Sequence, residues 1–214
     1  MLDIDVTAKL LTETCDVIER HTTGYYIDSG TLLGFVRDGE INQYDHDLDI
    51  RILPNCFDPS DANLKALIGD LWDVGYRVFA PNIGQKAELI TIWASDDFVH
   101  RIMLDLKFAY TDGNLVWVYC WPQPACIDPP RVHAYPARLF KEIGEVEYRG
   151  RKYPTPTPVI EYLEYHYGPD WQDFKVRAED AEQTDLGWDY MKSPPCSMDV
   201  MELVQLRKQL RGSP

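Results

Sequence analysis

The sequence predicts an α+β fold in which a mixed central sheet is flanked by helices. Three observations carry that expectation. The opening stretch repeats its apolar residues with helical period, the middle holds strand candidates with no helices between them, and one acidic segment alternates with period two. A length of 214 residues suits one well-filled domain or a domain with a small appendage. The expected division is a core over residues 1–121 and a helical C-terminal extension over 122–214, packed on the core.

Val6, Leu10, Leu11, Val17 and Ile18 fall at helical spacings, so residues 5–21 are expected as an amphipathic helix. Gly24 to Gly30 reads as a short strand running into a Ser-Gly turn, and Thr31 to Arg37 as a short helix stopped by Asp38 and Gly39. Residues 47–53 alternate charged and aliphatic side chains, as a half-buried strand does. Asp61 to Val74 forms a second amphipathic helix on Leu64, Leu67, Ile68 and Leu71. Strands follow at Tyr76–Phe79, Leu89–Trp93, His100–Tyr110 and Asn114–Trp121, the last two joined by a hairpin turn at Thr111-Asp112-Gly113. The proline-rich stretch from Pro122 to Pro158 is expected to be irregular. Thr157 to Gly168 places proline at a helix start and glycine at its stop. Residues 172–197 are polar and expected as loop, and Met198 to Arg211 as a last helix with a basic end.

A formal net charge of −14 repels polynucleotides, which argues against a nucleic-acid substrate but not against a small phosphorylated one. No apolar run approaches the roughly 20 residues of a membrane span. The start of the chain lacks the basic and apolar pattern of a secretory signal, so a cytoplasmic location is expected. Cys15, Cys56, Cys120, Cys126 and Cys196 show no CxxC spacing; reduced structural thiols are expected, with a zinc site at Cys120, Cys126 and His133 as the lesser alternative.

The acids carry the chemistry. On a strand over 47–53, Asp47, Asp49 and Arg51 point one way while Leu48, Ile50 and Ile52 point the other. Two carboxylates on one strand face repel unless a cation lies between them, and oxygen ligands suit Mg²⁺ or Mn²⁺. The alternative is an acidic surface turn. In the strand around Asp105, Ile102, Leu104, Leu106 and Phe108 take one face, and Met103, Asp105 and Lys107 the other. A carboxylate in so apolar a strand needs a partner. Lys107 is one answer; a metal shared with Asp47 and Asp49 is the other. Upstream, Ser29 and Gly30 sit at a helix start, where backbone N–H groups approach phosphate closely.

The run from Asp28 to Gly39, continuing to the segment from Tyr44 to Ile50, resembles the hallmark of the LicD/fukutin-related family. The later segment Leu139-Phe140, Tyr148-Arg149-Gly150, Tyr153-Pro154 and Tyr162 to Trp171 is similar to that family's closing motif. The resemblance spans about residues 24–171. It implies a nucleotidyltransferase (DNA polymerase β-like) fold and transfer of a substituted phosphate, of phosphocholine or alditol phosphate type, from a CDP-linked donor to a sugar or glycan hydroxyl. It also implies that Asp47, Asp49 and Asp105 bind the metal, and that Gly30, Thr31 and Arg37 belong to the donor-binding turn and its helix. Where the family usually shows Pro-Trp-Asp-Asp-Asp, this chain has Gln43-Tyr44-Asp45-His46-Asp47, which leaves subfamily and substrate open. His46 is read as a phosphate contact or as an exposed loop histidine.

Arg37 is expected to reach phosphate, or else to pair with Asp38 or Glu40. Asp105 is expected to accept the proton of the attacking hydroxyl as well as, or instead of, binding metal. Tyr162, Tyr165 and Tyr167 suit core packing or base stacking, and Arg149, Arg151 and Lys152 a solvated loop or an anion contact. Two other functions use the same residues: transfer of a nucleoside monophosphate from a triphosphate, and a catalytically inactive nucleotide-binding module.

Overall fold

The computed structural model describes residues 3–42, 45, 47–80, 89–94, 102–119, 131–173 and 197–211. The chain divides into two compact units, Met1–Tyr110 with Glu145–Thr155, and Thr111–Gly144 with Pro156–Pro214. The expected His46, Cys120 and Cys126 roles, Tyr44 of the family hallmark, the ends of two expected strands and most of the expected 172–197 loop lie outside the described residues.

In the first unit the chain opens on α1 (Ile4–His21). The Asp3 carboxylate caps it by accepting from the N–H groups of Asp5 and Val6, and Arg20 and His21 close its last turn. Its buried stripe runs from Thr7 to Ile18, whereas Val6 is exposed. β1 (Tyr25–Ile27) leads into α2 (Ser29–Arg37), then β2 (Asp47–Ile52), α3 (Asp61–Asp73), β3 (Arg77–Phe79), β4 (Leu89–Trp93) and β5 (Met103–Phe108). The described strands form a five-stranded sheet in the order β1-β2-β5-β4-β3. β2 and β5 are parallel and every other pairing is antiparallel, so the sheet is mixed, as expected. Parallel neighbours require a long crossover, and α3, β3 and β4 supply it. Leu48, Ile50, Leu104, Leu106, Ile90 and Ile92 from the sheet, with Leu10, Leu11, Ile18, Leu64 and Leu71 from the helices, form the core.

The expected strand His100–Tyr110 is split in two. At Ala109 the backbone N–H bonds the carbonyl of Ile52, and the chain then enters β6 (Tyr110–Thr111), which belongs to a second sheet. That sheet, ordered β11-β8-β7-β6, contains β7 (Leu115–Tyr119), β8 (Arg131–Pro136) and β11 (Ser197–Asp199). The Thr111–Gly113 hairpin thus joins β6 to β7 and not β5 to β7.

The stretch expected to be irregular is largely regular where it is described. β8 is followed by a 3₁₀ turn (Ala137–Phe140) and by a two-stranded hairpin of β9 (Ile143–Tyr148) and β10 (Arg151–Pro156). Arg149 and Gly150 join β9 to β10 with φ of 48° and 78°; positive φ at both central residues is what a type I′ hairpin turn requires. Pro154 and Pro156 are compatible with this hairpin because a two-stranded ribbon has edges on both sides. α4 (Val159–Tyr167) packs Tyr162 on Tyr135, ring centroids 5.0 Å apart, so Tyr162 is a core aromatic. In the last helix, α5 (Val200–Arg211), Arg207 bonds Asp112 at 2.6 Å and covers the Trp117 ring. No described helix is long and apolar enough to cross a membrane.

Candidate active site

The parallel register of β2 on β5 decides the site. Asp49 lies opposite Asp105, and Arg51 opposite Lys107. Like charges therefore face each other on two successive rungs, an arrangement that is unfavourable unless neighbouring rungs compensate. Here they do. The Arg51 Nη1 is 3.1 Å from Asp49 Oδ1, and the Lys107 Nζ is 3.9 Å from Asp49 Oδ1 and 3.7 Å from Asp105 Oδ2. All four side chains are at least nine-tenths buried. From β4, level with Asp105, the Thr91 hydroxyl donates to Asp105 Oδ1 at 2.9 Å.

The turn before α2 is tied to this quartet through both backbone and side chains. The Asp49 N–H donates to Thr31 Oγ1 at 2.9 Å, and the Asp28 N–H to the Asp49 carbonyl at 3.1 Å. Arg51 reaches across with Nε 2.7 Å from Asp28 Oδ2 and Nη2 3.2 Å from Ser29 Oγ. Ser29 has a φ of 47°, in the left-handed region that a residue with a Cβ adopts at some cost, and its hydroxyl is the one Arg51 holds. Strain held at a turn beside clustered acids is a common property of functional sites.

Asp45 completes the acidic group. Its carboxylate lies against Gly30, where an added Cβ would come 1.7 Å from Asp45 Oδ2. At Gly34, one helical turn later, a Cβ would meet the Glu40 carbonyl at 2.6 Å and the Asn42 nitrogen at 2.8 Å. Gly30 and Gly34 thus make a bare face of α2 on which Glu40, Asn42 and Asp45 rest. Tyr148 stacks on Phe35 at 4.3 Å and donates to the Glu40 carboxylate, which holds Glu40 from the hairpin side.

Electrostatics follow from the crowding. Burial, and then the charges of Asp49, Asp45 and Asp105, push the Asp47 carboxyl up to about 8, against the smaller opposing effect of Lys107. Burial also raises Asp105, with Lys107 opposing and Asp49 adding. Arg51 pairs with Asp28 and Asp49, and Lys107 lies in ion-pair range of Asp49 and Asp105. No three His, Cys, Asp or Glu side chains of the described residues stand at finished metal-holding geometry. The chemistry of the donor set fits a hard divalent cation nevertheless: carboxylate oxygens on one strand face, level across two strands.

The structure therefore brings Asp47, Asp49, Asp105, Ser29, Gly30 and Thr31 together. Arg37 lies at the other end of α2, where it donates two hydrogen bonds to Asp38, at 2.9 and 2.7 Å. Arg149 pairs with Asp5, Arg151 with Asp16 and Glu19, and Lys152 with Glu145, so each member of that basic cluster has an acidic partner. Asp28, Asp45 and Thr91 are site residues the sequence reading did not single out. Asp28 sat inside the hallmark run, but nothing in the run shows that its partner is Arg51, 23 residues later.

The family profile described as LicD/FKTN/FKRP, nucleotidyltransferase domain, matches residues 22–158. Uncharacterized protein RP689 of Rickettsia prowazekii is 29% identical over 171 residues, 78% of this chain and 56% of that protein. Uncharacterized protein RT0683 of Rickettsia typhi is 31% identical over 98 residues, 43% of this chain and 30% of that protein. The chain thus spans about half, or less, of the length of these relatives. Among solved structures, the crystal structure of ANT(2'')-Ia in complex with adenylyl-2''-tobramycin is similar at a TM-score of 0.41 and 15% identity, covering 86% of this chain and 84% of that one. The solution structure of ANT(2'')-Ia is similar at a TM-score of 0.40 and 14% identity, covering 90% of this chain and 83% of that one.

Proposed function

The chain belongs to the LicD/FKTN/FKRP family, and from that premise we propose that it is a metal-dependent transferase moving a substituted phosphate from a CDP-linked donor to a sugar hydroxyl. One observation carries the proposal beyond the family match: the register that sets Asp49 level with Asp105, with Asp47 on the same face and the Ser29–Thr31 turn tied to the same strand. In this reading Asp47, Asp49 and Asp105 hold Mg²⁺ or Mn²⁺. The bound ion offsets charge on the donor diphosphate and on the leaving nucleotide.

The chain's own residues then have separable tasks. Backbone N–H groups at the start of α2, over Ser29, Gly30 and Thr31, meet donor phosphate. Arg51 keeps that turn and Asp49 at a fixed separation through its three contacts. Thr91 fixes the rotamer of Asp105 by donating to Oδ1, which leaves Oδ2 for the cation.

The test is a thermal-shift series with Mg²⁺ or Mn²⁺ and CDP-choline, CDP-ribitol, CDP-glycerol, CTP and ATP, on wild type and on the Asp47→Asn/Asp49→Asn variant. A ligand at about a hundred times its Kd adds about 2.7 kcal/mol, and each kcal/mol moves the midpoint by about 2–4 °C at this size. A metal-dependent shift with one CDP-linked compound, lost in the variant, is the expected result and names the head group. Shifts with triphosphates alone would replace this reading with nucleotidyl transfer, and no metal-dependent shift at all would remove the enzyme claim.

A further inference from the structure

Asp49 and Asp105 are neutralised by two cations held in different ways. Arg51 is fixed, with three nitrogens on Asp28, Asp49 and Ser29 at 2.7, 3.1 and 3.2 Å. Lys107 is not. Its Nζ stands 3.9 Å from Asp49 Oδ1 and 3.7 Å from Asp105 Oδ2, in ion-pair range of both and within hydrogen-bond distance of neither. The side chain is buried, at 7% exposure, and projects from the same face of β5 as Asp105, one rung away. A lysine carries a point charge on a flexible four-carbon stem, so Nζ can leave this position without any movement of the backbone.

A divalent cation held by Asp49 and Asp105 would compete with Nζ for the negative charge of the same two carboxylates. Two positive charges about 4 Å apart repel strongly at the effective dielectric of about 20 found in such sites. Occupancy by one therefore weakens the hold of the other. Resting on the metal reading of the preceding subsection, we propose that Lys107 competes with the divalent cation for Asp49 and Asp105, and so sets the free-metal concentration at which the site loads. A residue present only to stabilise the sheet would gain most from close ion-pair contact, as Arg51 has at 2.7 and 3.1 Å. Lys107 instead has the geometry of an exchangeable counter-ion.

Calorimetric titration of the full chain with Mn²⁺ alone tests this on wild type, Lys107→Met, Lys107→Gln and Lys107→Arg. Both neutral variants are expected to bind at least about tenfold more tightly than wild type, while the arginine variant stays within about threefold. In EDTA the neutral variants are expected to melt below wild type, and saturating Mn²⁺ is expected to raise them by more than it raises wild type. Unchanged or weaker Mn²⁺ binding in both neutral variants, with wild type binding normally, would overturn the competition and leave the metal reading intact. Absence of binding in wild type and variants alike would overturn both. Should the variants fail to fold, the side-chain NMR resonances of Lys107 in wild type decide: they are expected to move on Mg²⁺ saturation, and a spectrum unaffected by bound Mg²⁺ would sink the proposal.

Discussion

The carboxylate of Asp45 occupies the space that a side chain at residue 30 would fill: a Cβ on Gly30 would come 1.7 Å from Asp45 Oδ2 and 2.9 Å from its Cγ. A glycine at a helix start is often explained by the close approach of a ligand to the backbone. In this chain a second cause is visible, because the protein's own acid needs that space.

The two causes separate in a double substitution. Gly30→Ala is expected to destabilise the fold by about 1–3 kcal/mol through overpacking. Adding Asp45→Gly should recover most of that loss in urea denaturation. Should the second substitution recover nothing, Asp45 is not what the missing Cβ accommodates.

Arg51 joins Asp28 and Asp49 inside the protein, with all three less than a tenth exposed. Removing one member of a buried ion network leaves uncompensated charge, so Arg51→Met is expected to cost about 3–5 kcal/mol. Arg51→Lys should recover only part, because an ammonium cannot reproduce the three-way fork. Denaturation midpoints check this; a loss below about 1 kcal/mol for the methionine variant would contradict the network.

The elevated Asp47 carboxyl makes stability depend on pH. Its ordinary value is 3.8 and its folded value about 8, so between these limits the folded state holds a proton that the unfolded state has released. Stability from this group is complete below about pH 4 and is lost as pH rises through 8. Melting in EDTA across that window should show wild type losing stability relative to Asp47→Asn as pH increases. A difference that is flat or of opposite slope would show that the folded protein does not retain the proton.

Tyr148 donates to Glu40 while stacking on Phe35. Tyr148→Phe keeps the ring and removes the hydrogen bond; since Glu40 is half exposed, the expected cost is about 1 kcal/mol or less. The informative readout is the double-mutant cycle with Glu40→Gln, in which the two losses should not add. Full additivity would mean that the hairpin does not hold Glu40 through this bond.

Much of the first unit was legible because its signals are local. Leu10, Leu11, Val17 and Ile18 recur with the period of a helix, and Asp47 to Ile52 with that of a strand, and both became the elements their periods predict. The β9–β10 hairpin was missed because its turn is Arg149-Gly150 and not the more familiar Asn-Gly, and because its second strand contains two prolines. The break at Ala109 was missed because nothing in the 102–110 alternation marks where one sheet ends and another begins.

The sequence by itself determined which face of β2 carries Asp47, Asp49 and Arg51, and which face of β5 carries Asp105 and Lys107, because side-chain direction in a strand depends only on neighbouring residues. Tertiary structure alone decided that Asp49 stands level with Asp105, that Arg51 closes on Asp28, and that Asp45 rests on Gly30. These are pairings between residues far apart in the chain. Register is set by the backbone ladder and the packing of the whole sheet, and a slip of one residue would have set Asp105 opposite Leu48 or Ile50.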